Sequence, residues 1–346
     1  MKSLMIGISP PEQGGSQRHI YEIASRLKAD LLTQKGSSYK GKKIEIPVLN
    51  KSTFLRNISF MIFSFPAILA LIFKKRHDII HLHENFLYFY IPLLSLRYKV
   101  VTTVHGCKGF KFFDNKLLWQ VYKSALKFSN RIIAVSMEDE KILKHYFRKV
   151  VYIPNGVDNS LYRNKIKVEK KIIFIGRIHA QKGIYYLLKA FEEIKDKLSE
   201  FKLEIIGKGE KEYETKLKEE FNDKRLIWRG FISDRKVIAE SLQSAYMICL
   251  PSLWEGLPLT LFEALASSRP VIASNLDVFR TIVQNNKSAV LFEPENVKEL
   301  ENAILYLAKN KKIAKKIGEE GKKIALKYDW NEISKEIEGV YQNASK

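Results

Sequence analysis

The chain has 346 residues, 46% of them apolar, and two cysteines, Cys107 and Cys249. That length exceeds one ordinary α/β domain and suits two with separate cores, while two distant cysteines outside any metal-ligand spacing exclude a disulfide framework and fit a reducing cytoplasm. The net charge of +21 is uneven, with 25 Lys and Arg against 10 Asp and Glu in residues 1–155 and 34 against 28 in residues 156–346; the first part expects anionic company such as lipid headgroups, a lipid-phosphate acceptor or nucleic acid, unless the excess is plain lysine bias.

The opening apolar run, through Ile8, is too short for a signal-peptide core and reads as a first buried strand. After it, Gly14-Gly15 precede a helical pattern, where paired glycines let backbone N–H groups approach an anion. Residues 57–73 are uncharged and strongly apolar, with Pro66 inside and Lys74-Lys75-Arg76 after them. They fall short of the ~20 residues of a membrane span. The expectation is a helix buried on the first sheet, with shallow insertion into an anionic membrane as the other reading.

Apolar runs follow at Ile79–Leu82, Val100–Val104, Arg131–Val135 and Val150–Ile153. His81 and His83, two apart, share a strand face; without a third ligand at a sensible spacing, metal is not expected. His105 ends the Val100–Val104 run. A boundary is expected at Asn155-Gly156-Val157-Asp158, since Asn-Gly favours a turn and a Lys-rich stretch follows to Lys171.

Further runs stand at Ile172–Ile175, Leu203–Ile206, Leu226–Trp228, Met247–Leu250, Val271–Ala273 and Ala289–Phe292. Near-continuous apolar strands alternating with amphipathic segments indicate parallel sheets covered by helices on both faces, hence a doubly wound α/β chain built twice.

Ligands of such sheets bind at the carboxyl ends of the strands. There the sequence places Arg177 and Lys182, two cations able to bracket a diphosphate. Gly207 and Gly209 follow Leu203–Ile206. The stretch Pro251–Ala264 carries Glu255 in a loop and Glu263 on a helix whose first turn Pro258 suits. Gly256 and Leu257 would offer N–H groups at the positive end of that helix. P-loop, dinucleotide, zinc-protease and nucleophile-elbow motifs are absent.

In this order, the stretches Gly14-Gly15, Asp78–His83, Val104-His105-Gly106, Ile153–Asp158, Gly176–Gly183, Gly207–Glu210 and the Glu255…Glu263 pair resemble the retaining glycosyltransferases of family 4 over nearly the whole chain. The resemblance implies the GT-B fold, two Rossmann-like domains facing across a cleft. They would span 1–157, joined by a helix 331–346, for the acceptor and 158–330 for the nucleotide-sugar. It implies transfer of a sugar from a UDP- or GDP-sugar to a glycan or lipid-linked acceptor, with no cofactor and no metal. Arg177 and Lys182 would hold the donor diphosphate, Glu255 the transferred sugar, Glu263 the ribose, and Gly15 the phosphates from the first domain. His105 would sit near the reacting sugar. Gly14, Gly207, Gly256 and Leu257 join the expected donor-binding set. The enzyme is expected in the cytoplasm, on the inner face of the membrane through peripheral contact. The family usually has Gly where Ser268 stands, followed here by Arg269. The rivals are an epimerase of the same fold, which needs no acceptor, and a membrane-associated binding protein with a degenerate site. A nucleic-acid binder lacks any matching motif.

Overall fold

The computed structural model describes residues 1–10, 14–50, 52–107 and 116–345, so Pro11–Gln13 of the glycine loop lie outside the described residues. The chain divides into two compact units, Met1–Asn155 with Trp330–Lys346, and Gly156–Asp329. The division falls inside the Asn155–Asp158 turn.

The first unit holds a parallel sheet of seven strands: β1 (Ser3–Ile6), β2 (Asp30–Gln34), β3 (Lys43–Ile46), β4 (Ile79–Leu82), β5 (Lys99–Val104), β6 (Arg131–Ala134) and β7 (Val150–Tyr152). They run in the order β3-β2-β1-β4-β5-β6-β7. All residues of β1 and β4 are buried, as apolar strands covered on both faces must be. The helix Trp330–Ser345 returns to this unit and buries Ile333, Ile337, Val340 and Tyr341.

β2 and β3 carry no run that sequence patterning detects. β2 contains the buried polar Thr33 and Gln34, satisfied by side-chain bonds with Ser9 at 3.0 Å and the Ser9 carbonyl at 2.5 Å. β3 is the outermost strand and is mostly polar, Lys-Ile-Glu-Ile.

Helix α2 (Thr53–Phe73) meets the expectation of a buried helix on one face only, with Phe60, Ile68 and Leu71 in the core of the first unit. Ser52 caps it, accepting from the Leu55 N–H at 3.2 Å. Only Ser59, Phe60, Ser64, Ile68 and Leu71 are buried. Phe54, Ile62, Phe63, Phe65 and Phe73 face solvent, Phe73 at 82% exposure. With 21 residues it is long and apolar enough to cross a membrane by length and composition.

The second unit holds β8 (Lys171–Ile175), β9 (Lys202–Ile206), β10 (Leu226–Gly230), β11 (Met247–Leu250), β12 (Val271–Ser274) and β13 (Val290–Phe292). All are parallel, in the order β10-β9-β8-β11-β12-β13. The period-2 alternation of a strand divides its core in two. Ile172, Phe174, Ile205, Met247 and Cys249 pack on one face. Ile173, Ile175, Ile206, Ile248 and Leu250 pack on the other. Burial pushes the Cys249 thiol far above its ordinary range, so it acts as a small core hydrophobe.

Both units are doubly wound, as the alternation of strands and helices indicates. Ser268 takes the left-handed conformation, φ 61°, at the end of the helix Leu259–Ala266. That geometry favours Gly and strains a residue with a Cβ. Arg269 then turns inward and donates from Nε to the Gln243 carbonyl at 2.7 Å.

Candidate functional site

Strand order reverses between β1 and β4 in the first unit and between β8 and β11 in the second. In open α/β sheets the crevice at such a reversal takes the ligand.

In the second unit the loops after β8 and β11 form one hydrogen-bonded piece. Gly183 makes their approach possible: it is left-handed, φ 61°, and a Cβ there would stand 1.8 Å from the Pro251 carbonyl oxygen. The Leu253 N–H donates to the Gln181 carbonyl at 2.8 Å. The Gln181 carboxamide donates to the Trp254 carbonyl at 3.0 Å and accepts from Arg177 at 3.2 Å.

Lys182 Nζ forms an ion pair with Glu255 Oε1. The same oxygen accepts from Ser252 Oγ at 2.6 Å. Glu255 is largely buried and Lys182 mostly so, whereas Arg177 is exposed. Three expected site residues are therefore brought together across the strand reversal. The arrangement offers one exposed guanidinium held to Gln181, one fixed ammonium and a carboxylate aligned by two donors, a set able to meet a diphosphate and a sugar hydroxyl.

Glu263 is buried on the helix Leu259–Ala266 and pairs with Arg235, at the start of the helix Arg235–Ser244. This partner was not foreseen. Pro258 stands one residue before the helix Leu259–Ala266 as its N-cap, rather than within its first turn. Gly256 is exposed with open space around it, while the Leu257 side chain is buried in the core. Gly207 has a packing reason of its own. A Cβ there would lie 1.8 Å from the Gly176 carbonyl oxygen, where the chains leaving β8 and β9 run together. The Ile178 N–H donates to the Lys208 carbonyl at 3.2 Å in the same place.

In the first unit Gly14 caps helix α1 (Gly15–Leu27), and Gly15 opens it with nothing within 4 Å of where a Cβ would stand. His105 follows β5 and His83 follows β4. Their Nε2 and Nδ1 atoms are 3.5 Å apart. His19, from α1, packs its ring edge-on to His105 with centroids 4.9 Å apart. Its Nδ1 lies 2.9 Å from Asn155 Oδ1. His81 is satisfied at both nitrogens, by the Tyr341 hydroxyl and Thr103 Oγ1, each at 2.7 Å. Burial holds all four imidazoles below their ordinary range, His19 at about 4. They are neutral near pH 7.

Two members of this crevice escaped sequence reasoning. His19 lies near the glycine pair but comes from a different element than the other histidines. Glu84 directly follows His83, and burial lifts its carboxyl to about 7 against the pull of Arg56. A carboxyl near neutrality at a strand reversal is suited to proton transfer. An acidic residue immediately after the His-Leu-His stretch was the signal available.

The profile of Glycosyltransferase Family 4 matches residues 13–161, and that of Glycosyl transferases group 1 matches residues 160–324. An uncharacterized glycosyltransferase of Methanocaldococcus jannaschii is 27% identical over all of this chain and 99% of its own. The Escherichia coli UDP-Gal:alpha-D-GlcNAc-diphosphoundecaprenol alpha-1,3-galactosyltransferase is 28% identical over 75% of this chain and 74% of its own. Among solved structures, sucrose-phosphate synthase of Thermosynechococcus elongatus shares the fold at TM-score 0.84 and 19% identity, covering 99% of each chain. Anabaena HepE in complex with UDP-glucose does so at TM-score 0.81 and 16% identity, covering 99% of this chain and all of its own.

Proposed function

Since the chain belongs to the group 1 and family 4 glycosyltransferases, and is a glycosyltransferase of GT-B fold, we propose that it transfers a sugar from a UDP- or GDP-sugar to a lipid-linked acceptor, with retention and without a metal. The observation that carries this reading is the Lys182–Glu255 pair beside Arg177 at the reversal of β8 and β11. A nucleoside diphosphate leaves with growing negative charge, and fixed cations facing that charge lower the barrier. Lys182 and Arg177 supply them. Glu255, held by Ser252, accepts from hydroxyls of the sugar, and Glu263 from those of the ribose once Arg235 yields. The acceptor hydroxyl gives its proton to the leaving phosphate oxygen as the new glycosidic bond forms on the face the old one leaves. The second unit thus takes the donor and the first the acceptor.

Two features support a lipid-linked acceptor. The relative named above acts on a diphosphoundecaprenol-linked sugar. Helix α2 exposes aromatic side chains and ends at Lys74-Lys75-Arg76, a pattern that suits the headgroup boundary of an anionic membrane. Peripheral attachment at the cytoplasmic face follows from that reading.

The test is a thermal-shift series with UDP, GDP, ADP and CMP and their sugar conjugates in chelator. A rise in melting temperature with one nucleoside diphosphate, growing with its concentration, supports the donor site. No rise with any of them overturns it. The anomeric configuration of the product, read by NMR, decides retention.

A further inference from the structure

The crevice of the first unit gathers three imidazoles in one place. One ring nitrogen from each of His19, His83 and His105 lies within 4.8 Å of the other two. The three come from helix α1 and from the ends of two adjacent strands, β4 and β5. His19 and His83 are buried, and among the described residues the Nε2 atom of each has no hydrogen-bond partner. An unpaired buried polar atom is costly, and the His19 Nε2 lone pair beside two further imidazoles asks for a ligand.

We infer that His19, His83 and His105 form a binding site for one divalent cation of the zinc class. The nitrogens fit it in three ways. With Asn155 Oδ1 as acceptor at 2.9 Å, the His19 proton sits on Nδ1 and the lone pair on Nε2. This is the outer-shell carbonyl that orients a ligating histidine. His83 Nδ1 and His105 Nε2 stand 3.5 Å apart, close to the about 3.4 Å that two nitrogens bound about 2.1 Å from one tetrahedral ion adopt. His83 ligates through Nδ1, and small ring rotations close the remaining gap to His19. Finally, an all-imidazole set suits zinc, copper, nickel or iron rather than magnesium or calcium, whose ligands are oxygens. Three protein ligands leave a fourth position open. Three neighbours have partners of their own: His81 is held at both nitrogens by Tyr341 and Thr103, Trp330 packs edge-on against His19 at 5.4 Å, and Glu84 accepts at Oε1 from the Gln17 carboxamide at 3.3 Å. The transfer reaction proposed above does not use this ion, so the site stands or falls apart from that reading.

The experiment is a calorimetric titration of Zn2+ into the full chain stripped with chelator, followed by the absorption spectrum with Co2+. One ion per chain is expected, with nitrogen-only cobalt bands. His19→Gln and His83→Gln are each expected to weaken binding by about 100-fold, as loss of a ligand does. His105 is partly exposed, so His105→Gln provides a variant that folds if the two buried positions do not tolerate change; melting curves without metal check this. His145→Gln and His179→Gln are expected to bind as the parent does. Three results overturn the assignment: no Zn2+ uptake at micromolar ion, full uptake retained in His105→Gln and either buried variant, or a thiolate charge-transfer band that places Cys107 or Cys249 at the ion.

Discussion

The two units repeat one topology, and the chemistry at its reversal differs. Around the ends of β1, β4 and β5 the side chains are His19, His83, His105 and Glu84, kept neutral or nearly so by burial. Between β8 and β11 they are Arg177, bonded to Gln181, and the Lys182–Glu255 ion pair. Of the seven histidines only His179 falls in the second unit. One sheet architecture thus supports a crevice that resists charge and another that concentrates it. The strand order fixes where a site stands, and the few residues after each strand decide what it does.

The largest effect that sharpens this contrast is expected in the charged crevice. Lys182→Ala should lower kcat by about 100-fold, the loss seen when one donor to a developing anion is removed, while the melting temperature moves by only a few degrees. Unchanged turnover in a folded variant would remove Lys182 from the machinery. Next comes Glu263→Ala, which should weaken nucleoside diphosphate binding by roughly 10- to 100-fold, since hydrogen bonds to a charged group contribute about 1.5–3 kcal/mol. Equal affinity in calorimetry would assign Glu263 to its Arg235 partner alone.

The neutral crevice should instead report itself through pH. The folded pKa of His19, about 4, lies below its ordinary 6.5. As pH falls from 6.5 toward 4 the unfolded chain takes the proton first, so stability present above pH 6.5 is lost. His19 alone accounts for about 2 kcal/mol by pH 5, and His81, His83 and His105 act in the same direction. Glu84 opposes them. Its folded pKa of about 7 lies above its ordinary 4.5, so its contribution is present in acid and lost as pH rises between those values. Glu84→Gln should therefore steepen the acid loss. Denaturant unfolding followed by tryptophan fluorescence from pH 8 to 5 checks both, and an acid limb no steeper than the parent's would remove Glu84 from the account. The smallest effect expected belongs to Ser268→Gly, which relieves a left-handed Cβ clash and should add about 1 kcal/mol to the urea unfolding free energy. A neutral or negative change would mean that Ser268 is held there by contacts worth more than the strain.

The doubly wound fold was legible because buried parallel strands write themselves as apolar runs. β8 and β11 are plain in the sequence for that reason, whereas β2 hides its burial behind Thr33 and Gln34, and β3 is a polar edge. Arg177, Lys182 and Glu255 were legible because each closely follows a strand end. The Arg235–Glu263 pair was not, since its partners lie on separate helices and nothing in the spacing of 235 and 263 joins them. The same holds for His19, brought to His83 and His105 only by the ordering of β1, β4 and β5. Helix α2 was read only in part because an apolar stretch records a preference for leaving water without saying which of its faces the protein covers.

The return of the helix Trp330–Ser345 to the first unit has a consequence for how the molecule is made. The second unit is one uninterrupted stretch, Gly156–Asp329, while the first is assembled from two distant pieces. His81 finds its hydroxyl partner on Tyr341, and His19 packs on Trp330. At roughly 5–20 residues per second, the ribosome takes on the order of 10–40 s to move from Asn155 to the end of that helix. Over that interval the first sheet lacks the helix that covers it, and the second unit, begun later, has every residue it needs by Asp329, before that helix is made.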